Sequence, residues 1–264
     1  MRLRQILEKL AKGEITVDEA EREIKLMAIE EVGDAVKLDV GREFRRGVPE
    51  IILAEYKTND VLLNAIKRMV EASGRAIVSR LRNDQIELVK GLGNQYEVMI
   101  NEVARIAVIK KSGYEAPKTG GKVGIVTGGT ADIPVAEEAR IIAEELGCTT
   151  ITAYDVGIAG IQRAIRAAKK MIEEDVDVII AVAGMEGALP SAIRALVDVP
   201  VIGVPTSIGY GIGGKGIAAL LSMLQSCSLG LLVVNVDNGI GAGVAAATIA
   251  NRVAKFRKKE EEDV

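Results

Sequence analysis

The chain has 264 residues, 48% of them hydrophobic and 27% charged, with a formal net charge of −3, two cysteines and no histidine. That balance describes one or two globular domains able to bury a sizeable core. It leaves no concentrated basic footprint for nucleic acid or an anionic membrane, and aromatic residues at 3% with no tryptophan give no platform for stacked bases. The expected partner is a small molecule, and any chemistry must run without imidazole.

Met1-Arg2-Leu3-Arg4 leads into a charged amphipathic pattern and not an apolar signal core, and no run reaches the roughly 18 apolar residues that span a bilayer. Cys148 and Cys227 are expected to be free thiols in a reducing cytoplasm. In chain order, the pattern predicts a helix over Arg2–Lys12 closed by Gly13. A second over Val17–Glu31 is opened by Thr16 and Glu19, spaced as a capping box in which each side chain satisfies an orphan amide. Strands are predicted at Ala35–Leu38, Ile51–Glu55, Ala76–Leu81 and Ile106–Ile109, with a helix from about Asn59 to Ser73. Residues 1–112 thus read as a smaller α+β domain, and the Gly- and Lys-rich stretch 113–122, which carries Pro117, reads as a linker.

From Val123 the pattern becomes a regular strand–loop–helix alternation. Strands are predicted at Val123–Val126, Thr149–Ala153, Val176–Ala183, Pro200–Val204 and Leu231–Val236, and helices near Val135–Leu146, Ile161–Glu174, Pro190–Val197, Gly216–Gln225 and Gly243–Lys258. Apolar strands buried on both faces require a parallel sheet covered by helices, so residues 123–264 are expected to form an α/β, doubly wound, three-layer αβα domain. Ligands of such sheets sit at the carboxyl ends of the strands.

Each of those ends carries a polar or glycine-rich loop. The substrate-binding candidates drawn from them are Thr127, Gly128, Gly129, Thr130 and Asp132 after the first strand, Asp155 after the second and Gly184 after the third. Ser207, Gly209 and Tyr210 follow the fourth strand, and Asn235, Asp237 and Asn238 come with the fifth. The Thr127–Thr130 turn leads into a helix whose amides would favour a phosphate, although it matches neither a P-loop nor G-x-G-x-x-G. Asp132 reads equally as a helix cap, and Asp155 as a receiver of ribose hydroxyls or a turn aspartate bonded to its own backbone. Glu186, between Gly184 and Gly187, is expected to be partly desolvated and to move a proton, its alternative being an exposed loop glutamate. Cys227 lies between a helical pattern and an apolar strand. It is either an activated nucleophile or an inert core thiol.

Ala183-Gly184-Met185-Glu186-Gly187-Ala188-Leu189-Pro190-Ser191, followed by Pro200-Val201-Ile202-Gly203-Val204-Pro205, resembles the aminoimidazole ribonucleotide carboxylase/mutase (PurE-like) fold. That purine family has a histidine immediately before its Leu-Pro; here the position is Ala188. Gly41–Glu50 with Tyr56-Lys57-Thr58, then Asp155–Gly160, Gly203–Gly211, Ser226-Cys227 and Val234–Gly239, look like a sister family. This is the LarB-type pyridinium-3,5-biscarboxylic acid mononucleotide synthase of nickel-pincer cofactor biosynthesis. The likeness covers nearly the whole chain, with Gln162 standing where a histidine often follows the Asp-Val-Gly loop.

The LarB resemblance implies a carboxylation and a hydrolysis. Nicotinic acid adenine dinucleotide would gain a second ring carboxylate from CO2 or bicarbonate and lose AMP. Cys227 would be the nucleophile that dearomatises the pyridinium and Glu186 the base that restores it. A substrate-linked Mg2+ with unassigned ligands would neutralise the phosphates. Arg42, Arg45, Arg46 and Lys57 are either phosphate or carboxylate contacts or solvated surface charge. The purine enzymes that the C-terminal half resembles assemble as octamers, so a homo-oligomer is expected. A purine-type carboxylase or mutase and a non-catalytic nucleotide-binding oligomer remain the alternatives.

Overall fold

A computed structural model describes residues 2–30 and 47–262. The strand predicted at Ala35–Leu38 and the arginines Arg42, Arg45 and Arg46 lie outside the described residues. The packing divides the chain into two compact units. One comprises residues 1–99 and 107–114, the other residues 100–106 and 115–264.

In the first unit, α1 (Arg2–Ala11) and α2 (Val17–Glu30) stand where the apolar periodicity puts them. The turn into α2 is closed as the spacing requires: the Thr16 amide donates to Glu19 Oε2 (2.8 Å) and the Glu19 amide to Thr16 Oγ1 (3.2 Å). There follow β1 (Ile51–Leu53), α3 (Asn59–Ser73), β2 (Arg75–Ser79), α4 (Asn83–Lys90), β3 (Glu97–Asn101) and β4 (Ile106–Lys110). They form a four-stranded sheet in the order β1-β2-β4-β3, with β1 parallel and β4 antiparallel to β2. Neither α4 nor β3 is foreshadowed by periodicity, because tertiary bonds hold the start of α4. The fully buried Gln85 amide donates to the carbonyls of Ala54 and Lys57, both 3.1 Å away.

The second unit contains β5 (Lys122–Thr127), α5 (Ile133–Glu145), β6 (Thr149–Ala153), α6 (Ile161–Glu173), β7 (Val178–Ala183), α7 (Leu189–Arg194), β8 (Val201–Pro205), α8 (Ile217–Leu224), β9 (Leu231–Val233) and α9 (Gly239–Glu262). The five strands are all parallel, in the order β6-β5-β7-β8-β9. This is the doubly wound α/β fold expected. Strands β5, β7 and β8 are buried along almost their whole length, which is why they read as unbroken apolar runs.

On one side α9 packs against α5 through small residues. Ala242, Ala246, Ala247, Ala250 and Ala254 are all buried, and a methyl group on Gly243 would meet the Ala139 carbonyl at 2.7 Å. The stretch read as a linker is tied down at its carboxyl end: Thr119 Oγ1 lies 2.9 Å from the Gly147 carbonyl and 2.6 Å from Asn251 Oδ1, and Gly121 is buried against Ala250. Among the described residues no helix is long and apolar enough to cross a membrane.

Candidate active site

The strand order reverses between β5 and β7, one running on to β6 and the other to β8. The loops leaving two such strands diverge to opposite faces and open a crevice between them. A cavity of about 270 Å³ lies there, lined by residues of the loops after β5, β6, β7 and β8. Its carboxylates are Asp132 and Glu186; the apolar part of its wall includes Ile158, Leu189 and Ile208.

Close backbone approach builds this cavity. A methyl group at Gly184 would sit 2.2 Å from the Ile208 carbonyl, and one at Gly157 would sit 2.5 Å from that of Gly128, so only glycine lets these loops touch. The Met185 amide donates to the Ile208 carbonyl (2.8 Å), locking the β7 and β8 loops together. The Asp155 amide donates to Thr127 Oγ1 (2.9 Å), and the Val156 amide to the Thr127 carbonyl (2.9 Å), which fixes the β6 loop to the end of β5.

Asp132 is 4% exposed. Its Oδ2 accepts from the Gly129 amide (2.9 Å) and its Oδ1 from the Thr206 hydroxyl (2.7 Å). Burial raises its pKa above the ordinary carboxylate value, and the charge of Asp237 adds to the rise. The Thr206 hydroxyl and the amides of Gly129 and Gly184 oppose it. Asp132 therefore closes the turn that precedes α5 and ties it to Thr206, with its carboxyl in the cavity wall; it makes no side-chain bond to the first amides of α5, so it is not the helix cap the sequence allowed.

Glu186 is exposed at the rim, not partly desolvated as expected from its Gly-x-x-Gly setting. Met185 and Gly187 both have left-handed backbone, with φ of 49° and 63°, and the Gly187 amide donates back to the Gly184 carbonyl at 2.8 Å. That tight turn lifts the intervening glutamate outward.

The remaining candidates separate. Gly128, Gly129 and Gly184 line the cavity, and Thr127 is buried just beneath it as the last residue of β5. Thr130, Ser207, Gly209 and Tyr210 are exposed loop residues outside its lining. Asp237 Oδ1 accepts from the Ser207 amide (2.8 Å), and Asn238 Oδ1 from the Gly241 amide (2.9 Å). Asn235 Oδ1 accepts from the Val236 amide (2.9 Å). Those three side chains shape the turn into α9 and do not reach the cavity wall. Asp155 faces an adjoining groove and pairs with Arg163 at 3.1 Å. Sequence reasoning missed Thr206 and Ile208; the dipeptide Pro205-Thr206 at a strand end was the available signal.

Of the two thiols, Cys148 is buried with its Sγ 3.1 Å from Asn251 Oδ1, and burial pushes its pKa up to about 11. Cys227 is exposed in the loop that enters the amino end of β9, so it is not a core thiol, and it does not line the cavity. Its neighbours anchor that loop: Ser191 Oγ lies 2.7 Å from Ser226 Oγ, and Ser228 Oγ donates to the Ser191 carbonyl (3.0 Å). Around it Leu221, Leu224 and Leu229 are 58%, 64% and 87% exposed. Lys57 belongs to the first unit, where its carbonyl accepts from Arg82 and Gln85. Among the described residues no group of three or more His, Cys, Asp or Glu side chains is placed to hold a metal ion.

Residues 122–262 match the family model described as AIR carboxylase, and residues 29–111 match that of the LarB/PurE-like N-terminal domain. An uncharacterized protein of Methanocaldococcus jannaschii is 50% identical over 256 residues, which is 96% of this chain and 98% of that protein. The N5-carboxyaminoimidazole ribonucleotide mutase of Pyrococcus horikoshii is 38% identical over 132 residues, covering 48% of this chain and 71% of that enzyme. The mutase of the same description from Thermotoga maritima is 30% identical over 156 residues, 54% of this chain and 87% of the enzyme.

Proposed function

This chain belongs to the AIR carboxylase family and is of the LarB type, with a LarB/PurE-like N-terminal domain ahead of its PurE-like one, and on that premise we propose that it carboxylates the pyridinium ring of nicotinic acid adenine dinucleotide and releases AMP. The observation that carries this reading is the cavity at the switch point. Ala188 lines it where the purine enzymes are expected to have histidine, so proton transfer falls to its two carboxylates, Asp132 and Glu186.

The chemistry follows from the residues. A pyridinium carbon is electron-poor and accepts the Cys227 thiolate; the new C–S bond pushes an electron pair into the ring, making an enamine. The enamine carbon attacks CO2 and forms the C–C bond. Glu186 takes the proton from that carbon, the electron pair returns to the ring, the aromatic system re-forms and the C–S bond breaks. Sulfur suits the step because it is both a good nucleophile and a good leaving group. Hydrolysis of the phosphoanhydride then gives AMP and the biscarboxylated mononucleotide. A Mg2+ carried on the substrate's own phosphates would neutralise their charge in that hydrolysis.

Cys227 does not line the cavity of its own chain. In this reading the protein works as a homo-oligomer in which a second copy brings its thiol to the cavity, and the exposed leucines around Cys227 are the apolar surface buried on association. The test is incubation with nicotinic acid adenine dinucleotide, bicarbonate and Mg2+, followed by mass analysis. A mononucleotide product heavier by one carboxylate, together with AMP, is the expected outcome; an unaltered dinucleotide excludes it. The names of the mutase relatives favour a second reading, turnover of a carboxyaminoimidazole ribonucleotide. Conversion of that substrate by the purified protein would establish it.

A further inference from the structure

A second concavity, of about 300 Å³, lies outside the cavity, between the carboxyl end of β6 and the face of α6. Its polar lining is dominated by cations. Arg163, Arg166 and Lys170 project from one side of α6, and Asp155 is the only carboxylate among its lining residues. Asp155 is matched by Arg163, with 3.1 Å between Oδ2 and Nη1. Arg166 makes one long bond, Nε to the Gln162 carbonyl at 3.4 Å, and the Lys170 ammonium donates to the Thr152 carbonyl (3.0 Å). Among the described residues neither has a carboxylate partner, so the groove carries two uncompensated positive charges.

The groove and the cavity share a wall. Asp155 and Val156 face the groove, while the next three residues of the same loop, Gly157, Ile158 and Ala159, face the cavity. An elongated ligand can therefore cross this loop with one end in each hollow. Guanidinium and ammonium groups facing one way, with two charges in excess, match a phosphate ester or a diphosphate.

We propose that the groove between β6 and α6 is an anion-binding subsite for the adenylate half of a dinucleotide whose other half occupies the cavity. Arg166 and Lys170 hold the phosphate. Arg163, anchored by Asp155, sets the edge of the subsite. This assignment rests on the dinucleotide reading given above and adds where the departing nucleoside phosphate is held.

The experiment is calorimetric titration of the full chain with AMP and, separately, with nicotinic acid mononucleotide, for the wild type and for Arg166→Gln/Lys170→Gln. Both side chains are exposed, so the fold is expected to persist, and circular dichroism melting checks it. The expected result is at least a tenfold loss of AMP affinity in the double variant with mononucleotide affinity changed less than twofold, and a parallel rise in KM for the dinucleotide. Equal AMP affinity in the two proteins, or an unchanged KM for a dinucleotide that is carboxylated, overturns the subsite while leaving the proposed reaction standing. Conversely, AMP binding that depends on Arg166 and Lys170 in a protein that fails to carboxylate the dinucleotide supports the subsite and removes the proposed reaction.

Discussion

The hydroxyl of Thr206, one residue beyond β8, donates a 2.7 Å hydrogen bond to Asp132 Oδ1, while the Gly129 amide donates to the other carboxyl oxygen of the same residue. One aspartate thus joins the loops that follow β5 and β8. Thr206→Val keeps the shape and removes the donor. Because Thr206 is fully buried, the change should lower unfolding free energy by about 1–3 kcal/mol and raise the Asp132 pKa further. Urea unfolding of the pair of proteins measures the first effect, and carboxyl titration by NMR the second.

Asp132 and Glu137 should pull acid stability in opposite directions. Burial alone would raise Glu137, but the hydrogen bond from Arg140, with those from Tyr154 and Asn101, more than reverses it, so its pKa falls below 4.5. Folded Glu137 binds its proton less tightly than the unfolded chain does. Its stabilising contribution is therefore complete above pH 4.5 and is lost as pH falls through the depressed value. Asp132 is raised from 3.8, so the folded state binds that proton more tightly, and its contribution declines as pH rises from 3.8 through the elevated value. Denaturation midpoints followed from about pH 3 to 7 should lose the first slope in Glu137→Gln and the second in Asp132→Asn.

Gly184→Ala tests the cavity floor. The added methyl would sit 2.2 Å from the Ile208 carbonyl and 2.7 Å from Thr206 Oγ1, and neither is the free end of a flexible chain. A loss of about 2 kcal/mol or more is expected, together with weaker nucleotide binding, because relief requires the β7 and β8 loops to part. Full stability by thermal melting would mean the loops are not held as described.

The two thiols should differ in reactivity. Cys227 is exposed, whereas Cys148 is buried and its thiol is held up to about 11, so iodoacetamide near neutral pH should label the first and spare the second until the protein unfolds. Peptide mapping reads the result. Cys148→Ser should cost about 1 kcal/mol and leave labelling of Cys227 intact.

Glu186→Gln and Cys227→Ser should each lower carboxylation at least about a hundredfold, since one removes the base and the other exchanges a thiol for a hydroxyl scarcely ionised near neutral pH. Mixing the two variants under conditions that exchange subunits should restore part of the activity if cavity and thiol meet between copies. Mixed protein that stays inactive, with exchange confirmed by mass spectrometry, would rule out a shared site.

The alternation of strands and helices after Val123 was readable because local rules and tertiary burial agree there. Strands such as β7, buried on both faces, cannot accommodate polar residues, and the helices between them must turn an apolar stripe inward. Where the two diverge the pattern is silent. The helix α4 begins with Asn83, Asp84 and Gln85, which look like loop, and it stands because Gln85 bonds to carbonyls about thirty residues away in sequence. At the other end of the range, β9 stops at Val233 instead of Val236, because the Asp237 amide and carboxylate bind Pro205 and Ser207 and turn the chain away.

The sequence by itself determined the fold class of the second unit and the rim of glycine and carboxylate residues from which a site is built, since those follow from periodicity and from which residues tolerate tight turns. It also singled out both cysteines. Only the tertiary structure separated their settings, burying Cys148 and exposing Cys227. Sheet order puts the switch point between β5 and β7 and so brings Asp132 and Glu186 together from positions 54 residues apart. A helix–strand connection returns the chain to the amino end of the sheet, which leaves Cys227 in the loop entering β9 and away from the cavity lining. Strand order and connection direction depend on which elements pack against which, a property of the whole unit and not of any window of residues.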